Sequence, residues 1–105
     1  VTARLAAALL CGALLSAPAA GKAKTHVVLI DGTQYAPARI EVAVGDTVVW
    51  KNRDPFPHTV TAQDGSFDSH PIGADRSWKL KVRRAGVLPY ICTLHPNMKG
   101  EIVAK

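Results

Sequence analysis

Three donor side chains of three different kinds stand at equal intervals near the C-terminus. They are the thiol of Cys92, the imidazole of His95 and the thioether of Met98, in Tyr90-Ile91-Cys92-Thr93-Leu94-His95-Pro96-Asn97-Met98. This stretch constrains the fold more than any other. Side chains three residues apart converge on one point when a tight loop carries them, and Pro96 stiffens the loop between His95 and Met98. A second imidazole, His58, lies upstream behind Asp54-Pro55-Phe56-Pro57. Taken singly, each residue has an ordinary reading: His58 as a surface or satisfied histidine, Met98 as core filler, Cys92 as a small buried hydrophobe. Their combination has to be weighed against the rest of the chain.

The chain has 105 residues, enough for one domain. Its first part differs in character from the remainder. Arg4 is followed by the apolar run Leu5 to Leu15 and then by Ser16-Ala17-Pro18-Ala19-Ala20. A short basic start, an apolar middle and a small-residue end describe an export leader, with the cut expected after Ala19 and Ala20 or Ala23 as alternatives. The apolar run is short of the roughly 20 residues that span a bilayer, so no stable membrane attachment is expected. Cys11 sits inside the run behind Leu10, where lipid attachment requires a small residue, and reads as part of the leader. The domain proper is then residues 20–105, exported to the periplasm, and Cys92 is its single cysteine. With no internal partner, that thiol in an oxidising compartment needs something to hold it, and a metal ion would do so.

Losing Arg4 with the leader takes the formal charge from +5 to +4. A moderately basic surface steers acidic partners. Export, few aromatics and the lack of an arginine-aromatic run argue against nucleic acid.

The segments alternate and turn as a β protein does. His26 to Asp31 is a β-branched run, closed by Gly32-Thr33. Gln34 to Ala38 contains Pro37 and reads as an edge or loop. Arg39 to Val44 alternates with Ile40, Val42 and Val44 on one face. Thr47 to Asn52 places Val48 and Trp50 on one side. Strands are also expected over His58 to Ala62, Asp75 to Arg84, Val87 to Cys92 and Gly100 to Lys105, with an irregular stretch from Phe67 to Ala74. About seven short strands with frequent turns predict an all-β sandwich or barrel. In so small a core a bound metal would act as a staple.

Two imidazoles, one thiolate and a weak axial thioether are the ligand set of a blue-copper electron-transfer site. Cuprous and cupric ions prefer conflicting geometries, and this set is a compromise that changes little when an electron moves. Strands flanking the ligand loop would hold the donors against the metal's own preference. Coordination itself removes the thiol proton.

Tyr90-x-Cys92-Thr93-x-His95-Pro96-x-Met98, with Trp50-x-Asn52 and Pro57-His58, resembles the cupredoxins. Within them it is most similar to the amicyanin group and its plastocyanin and pseudoazurin relatives, because His95 and Met98 are separated by only two residues. The resemblance covers essentially all of residues 20–105. It implies an eight-stranded Greek-key β-sandwich and one type 1 copper ion held by His58, Cys92, His95 and Met98. It also implies that Asn52 ties the ligand-bearing loops together, with Thr93 a further supporting residue. His95 would be the exposed ligand in an apolar electron port of Phe56, Pro57, Leu94 and Pro96, with Pro37 at its margin. Leu94 replaces the proline usual in amicyanin-like loops, Thr59 stands where asparagine is frequent, and His70 where glycine is frequent.

The function expected is that of a soluble periplasmic one-electron carrier, monomeric, working between redox partner proteins and not itself an enzyme. Copper delivery or resistance is the alternative, but an exchangeable site rich in Met or His is missing. An enzyme with Cys92 as nucleophile and His95 as base would leave Met98 and His58 unexplained. His26 and His70 have no ligand-spaced companions and are expected to be solvated. Lys79, Lys81, Arg83 and Arg84 form a basic stripe on a strand's solvent face.

Overall fold

The computed structural model describes residues 21–105. The expected leader over residues 1–19, with Cys11 in it, lies outside the described residues. Eight strands follow: β1 (Thr25–Ile30), β2 (Tyr35–Ala36), β3 (Arg39–Val42), β4 (Thr47–Asn52), β5 (Thr61–Ala62), β6 (Ser77–Lys81), β7 (Gly86–Cys92) and β8 (His95–Ala104). They form two four-stranded sheets, ordered β2-β1-β4-β6 and β3-β8-β7-β5. Each sheet is mixed, since β1 runs parallel to β4 and β3 parallel to β8, while every other pair is antiparallel. The expected all-β sandwich is what forms.

Alternation decides which side chains fill it. Val28 and Ile30 of β1, Val48 and Trp50 of β4, and Tyr90, Cys92 and Ile102 of the second sheet are all essentially unexposed. Trp50 and Tyr90 meet edge to face at 5.4 Å, Tyr35 meets Tyr90 at 4.7 Å, and the Trp50 indole N–H donates to the Tyr90 hydroxyl at 3.2 Å. Edge-to-face pairs add about 0.5–1.5 kcal/mol each beyond the area they bury, so this cluster ties the two sheets together. Burial pushes the Tyr90 hydroxyl up to about 12.

Several local outcomes differ from the sequence reading. Val44 is exposed, because β3 ends at Val42 and the chain turns there. The strand expected over His58 to Ala62 contracts to Thr61–Ala62. Its earlier donors go elsewhere: the Thr59 N–H to the Cys92 Sγ and the Val60 N–H to the Ser69 Oγ. The last strand begins at His95 rather than Gly100. Pro89 sits inside β7, opposite Glu101. Its carbonyl accepts from the Gln63 N–H just past the end of β5, so its missing donor faces the side where pairing has stopped.

The end of the sandwich at Lys24, Thr47 and Lys105 is closed by Asp46. This carboxylate accepts from the Lys24 N–H at 2.9 Å, the Ala43 N–H at 3.0 Å and His26 Nε2 at 2.8 Å. The Lys24 donor, then His26, then Ala43 hold its pKa down at about 2. His26 is therefore half-buried and bonded rather than solvated.

A group depressed in the folded state stabilises fully above its unfolded value of 3.8 and loses that contribution as pH falls through about 2. Asp46→Asn is therefore expected to lower stability at pH 6, with the gap to the parent narrowing between pH 4 and pH 2. Urea unfolding at several pH values measures it; a gap independent of pH would contradict this account. At Gly100 an added Cβ would lie 2.5 Å from the Tyr90 ring and hydroxyl. Gly100→Ala is expected to cost about 1–3 kcal/mol by overpacking, measured in the same way.

Candidate metal centre

β4 and β7 both end at one pole of the sandwich, at Asn52 and Cys92, and the candidate donors gather there. His58 hangs on the loop after β4. Its backbone bridges Ile72 in both directions, at 3.2 and 2.7 Å. Asn52 fixes the loop: its amide donates to the Phe56 and Ile72 carbonyls, both at 2.9 Å, and its carbonyl oxygen accepts from the Asp54 N–H at 2.9 Å. The His58 ring is unexposed, and its Nε2 meets the Asp54 carboxylate at 2.6 Å.

Asp54 has its own support. The hairpin between β1 and β2 turns on Gly32 and Thr33, both in the left-handed region at φ 62° and 59°, closed by paired bonds between Asp31 and Gln34. That turn aims two successive N–H groups at Asp54, from Gly32 at 2.7 Å and Thr33 at 2.9 Å. Burial alone would raise the Asp54 pKa. The Thr33 and Gly32 donors and His58 outweigh it and hold the group ionised, below the usual carboxylate range. An ionised carboxylate only accepts, so His58 Nε2 carries the proton and Nδ1 presents its lone pair.

That lone pair faces Cys92. Cys92 is a free, wholly buried thiol at the end of β7, and its Sγ lies 3.8 Å from His58 Nδ1 and 3.8 Å from His95 Nδ1. All three donor atoms lie within 4.8 Å of one another. Metal–nitrogen bonds of about 2.0 Å and a metal–sulfur bond of about 2.3 Å, opened to roughly 120°, separate nitrogen from sulfur by about 3.7 Å. The spacing fits one ion in a trigonal array.

The connection carrying Cys92 and His95 is tighter than a loop. Cys92 pairs directly with His95 across the two-residue turn Thr93-Leu94, and the next pair is Ile91 with Lys99. Pro96, Asn97 and Met98 are therefore unopposed and bulge from β8. The bulge lets Met98 turn inward, where it joins the same buried cluster as Cys92.

Thr59 joins this hairpin to the His58 loop. Its N–H donates to the Cys92 Sγ at 3.2 Å, and its hydroxyl accepts from the Thr93 N–H at 2.9 Å. The Tyr35 hydroxyl donates to the Thr59 carbonyl at 2.5 Å. The tie between ligand-bearing segments expected of Asn52 thus runs through Thr59 and Thr93, while Asn52 secures the His58 side. Around the half-buried His95, Phe56 and Leu94 are 42% and 49% exposed, with Pro57 and Pro96 beside them. The Phe56 ring lies 5.8 Å from that of His95.

Sequence reasoning missed Asp54, Thr59 and Tyr35 as parts of the site. Asp54 had one readable sign, an acid four residues before His58 in a loop bounded by prolines. The donors at Gly32 and Thr33 had none, since they arrive from a separate hairpin. His70 is exposed, in the left-handed region at φ 58°, and its ring lies 3.8 Å from Asp68. Arg84 of the basic stripe pairs with Asp64.

A profile of the cupredoxin-like domain matches residues 4–104. Amicyanin of Paracoccus denitrificans is 32% identical over 84 residues, covering 75% of this chain. Amicyanin-alpha of Methylorubrum extorquens is 28% identical over 104 residues, covering 94% of this chain and 87% of that protein. The chain spans 64% of the length of the Paracoccus relatives it matches. Among solved structures, a Cu(I) form of an amicyanin variant superposes with a TM-score of 0.72 at 31% identity, covering 77% of this chain and 82% of that one.

If Asp54 sets the tautomer and aim of His58, Asp54→Asn weakens retention of a metal ion by about 10–100-fold. Competition with a chelator measures the loss, with unfolding curves to separate it from instability. Unchanged affinity would remove Asp54 from the site.

Proposed function

Because the chain belongs to the cupredoxin-like domain family, we propose that it is a periplasmic one-electron carrier. In this reading one copper ion is held by His58, Cys92, His95 and Met98. The observation that carries it is the convergence of His58 Nδ1, His95 Nδ1 and Cys92 Sγ at a spacing suited to a single ion. The solved relatives support copper as that ion, since their names describe Cu(I) forms of amicyanin. Bound there, copper supplies a couple between its cupric and cuprous states.

The chain's own residues do the rest. Asp54 keeps the proton on His58 Nε2 and so frees Nδ1 as a donor. The Thr59 N–H donates to the Cys92 sulfur and so holds it in place beside the two imidazoles. Complete burial of His58 and Cys92 keeps water from that side. Cys92 is anchored at the end of β7 and His58 by its bonds to Asp54 and Ile72, so these donors move little when charge changes. Only His95 reaches the surface, and Phe56, Pro57, Leu94 and Pro96 form an apolar rim where redox partners can approach its ring. A site filled by four protein donors leaves no open position for a substrate, which argues against an enzyme. In the same reading residues 1–19 direct export, and residues 20–105 work as a monomer without membrane attachment.

The test is the visible spectrum of the purified protein with cupric copper. An intense thiolate-to-copper band that bleaches with a mild reductant is expected, and Cys92→Ser is expected to abolish it. A faint spectrum, with copper lost on desalting, would overturn the proposal.

A further inference from the structure

The two outer faces of the sandwich differ in charge in a way the metal centre does not explain. On the second sheet Arg39 contacts Glu41 at 3.4 Å and Glu101 at 3.2 Å, and with Lys99 beside them that outer face holds cations and carboxylates in balance. On the first sheet three rows cross the strands: Thr25, Thr47 and Lys81; Val27, Val49 and Lys79; Leu29, Lys51 and Ser77. These residues alternate with the buried ones and so share the outer face. The face carries three lysines and no carboxylate, and among the described residues none of the three makes an ion pair. Beside them lies an apolar centre, with Val27 55% exposed and Val49 and Leu29 half-buried.

Lysines on an edge strand have an ordinary use, which is to stop the edge from pairing with another chain. That accounts for Lys79 and Lys81 on β6. It does not account for Lys51, which is on the interior strand β4, nor for the lack of a compensating acid. Neighbouring positions on a sheet face lie about 5–8 Å apart, within the Debye length of about 8 Å at physiological salt. The three charges therefore act as one field over an apolar patch.

We propose that this face docks an acidic protein surface, at a place separate from the rim around His95. The partner it fits is flat and presents carboxylates around a small apolar contact. The three long strands β1, β4 and β6, about 4.8 Å apart and about 20 Å long, offer a footprint of roughly 300 Å². A contact of that size belongs to the weak, fast-exchanging class, where complementary charge sets the association rate.

The test follows amide shifts of the full chain on titration with a synthetic peptide of glutamates around a central leucine. Phosphatidylglycerol vesicles form a second arm. Shifts are expected in the rows of Val27, Val49 and Lys79, fading as salt rises. Lys51→Gln/Lys79→Gln/Lys81→Gln is expected to weaken binding about tenfold, and the equal charge removal Arg53→Gln/Lys99→Gln/Lys105→Gln far less. All six positions are on the surface, and unfolding curves confirm that both variants fold. Equal losses in the two variants would reduce the effect to net charge and overturn the proposal. So would shifts centred on Phe56 and Leu94, or binding to vesicles without binding to the peptide.

Discussion

The carboxylate of Asp54 is the contact on which the candidate centre depends. It is buried and charged, a costly combination unless donors surround it. The hairpin turn at Gly32-Thr33 supplies two of them, and His58 supplies the third. A β-branched residue in the left-handed region is itself unfavourable, by about 1–3 kcal/mol. Thr33 holds that conformation where its N–H meets Asp54 at 2.9 Å. The first hairpin of the chain is thereby coupled to an imidazole more than twenty residues further on.

Around that contact the site divides into a fixed half and an accessible half. His58 is bonded through its ring to Asp54 and through its backbone to Ile72. His95 rests on a two-residue turn and reaches the surface. Thr59 joins the halves, giving one bond to the sulfur and another to Thr93. Tyr35 holds the Thr59 carbonyl, and Tyr35 in turn packs on Tyr90, two residues before Cys92. The aromatic core and the donor set are thus one mechanical unit.

Much of this was legible in the sequence. Period two has one structural meaning, so Thr47–Asn52 forms as read, and the alternation expected over Asp75 to Arg84 holds over the shorter Ser77–Lys81. Cys92, His95 and Met98 were candidates because they are close along the chain, and Cys92 and His95 do meet. What could not be read is whatever depends on distant segments meeting. Asp54 looks like a loop acid until the β1–β2 hairpin is placed beside it. The strand expected from His58 fails because Thr59 and Val60 spend their backbone donors on Cys92 and Ser69, partners distant in sequence. The hairpin at Thr93-Leu94 is not legible because the bulge at Pro96–Met98 hides the pairing of Cys92 with His95.

The Asp46 buckle has a consequence for how the molecule can be tethered. It pins Lys24 to the pole where Lys105 also lies, bonded to Val42 and Val44. The described chain therefore begins and ends at the pole opposite His95. A linker, a surface or a neighbouring domain attached through either segment would leave the apolar rim pointing away from its support.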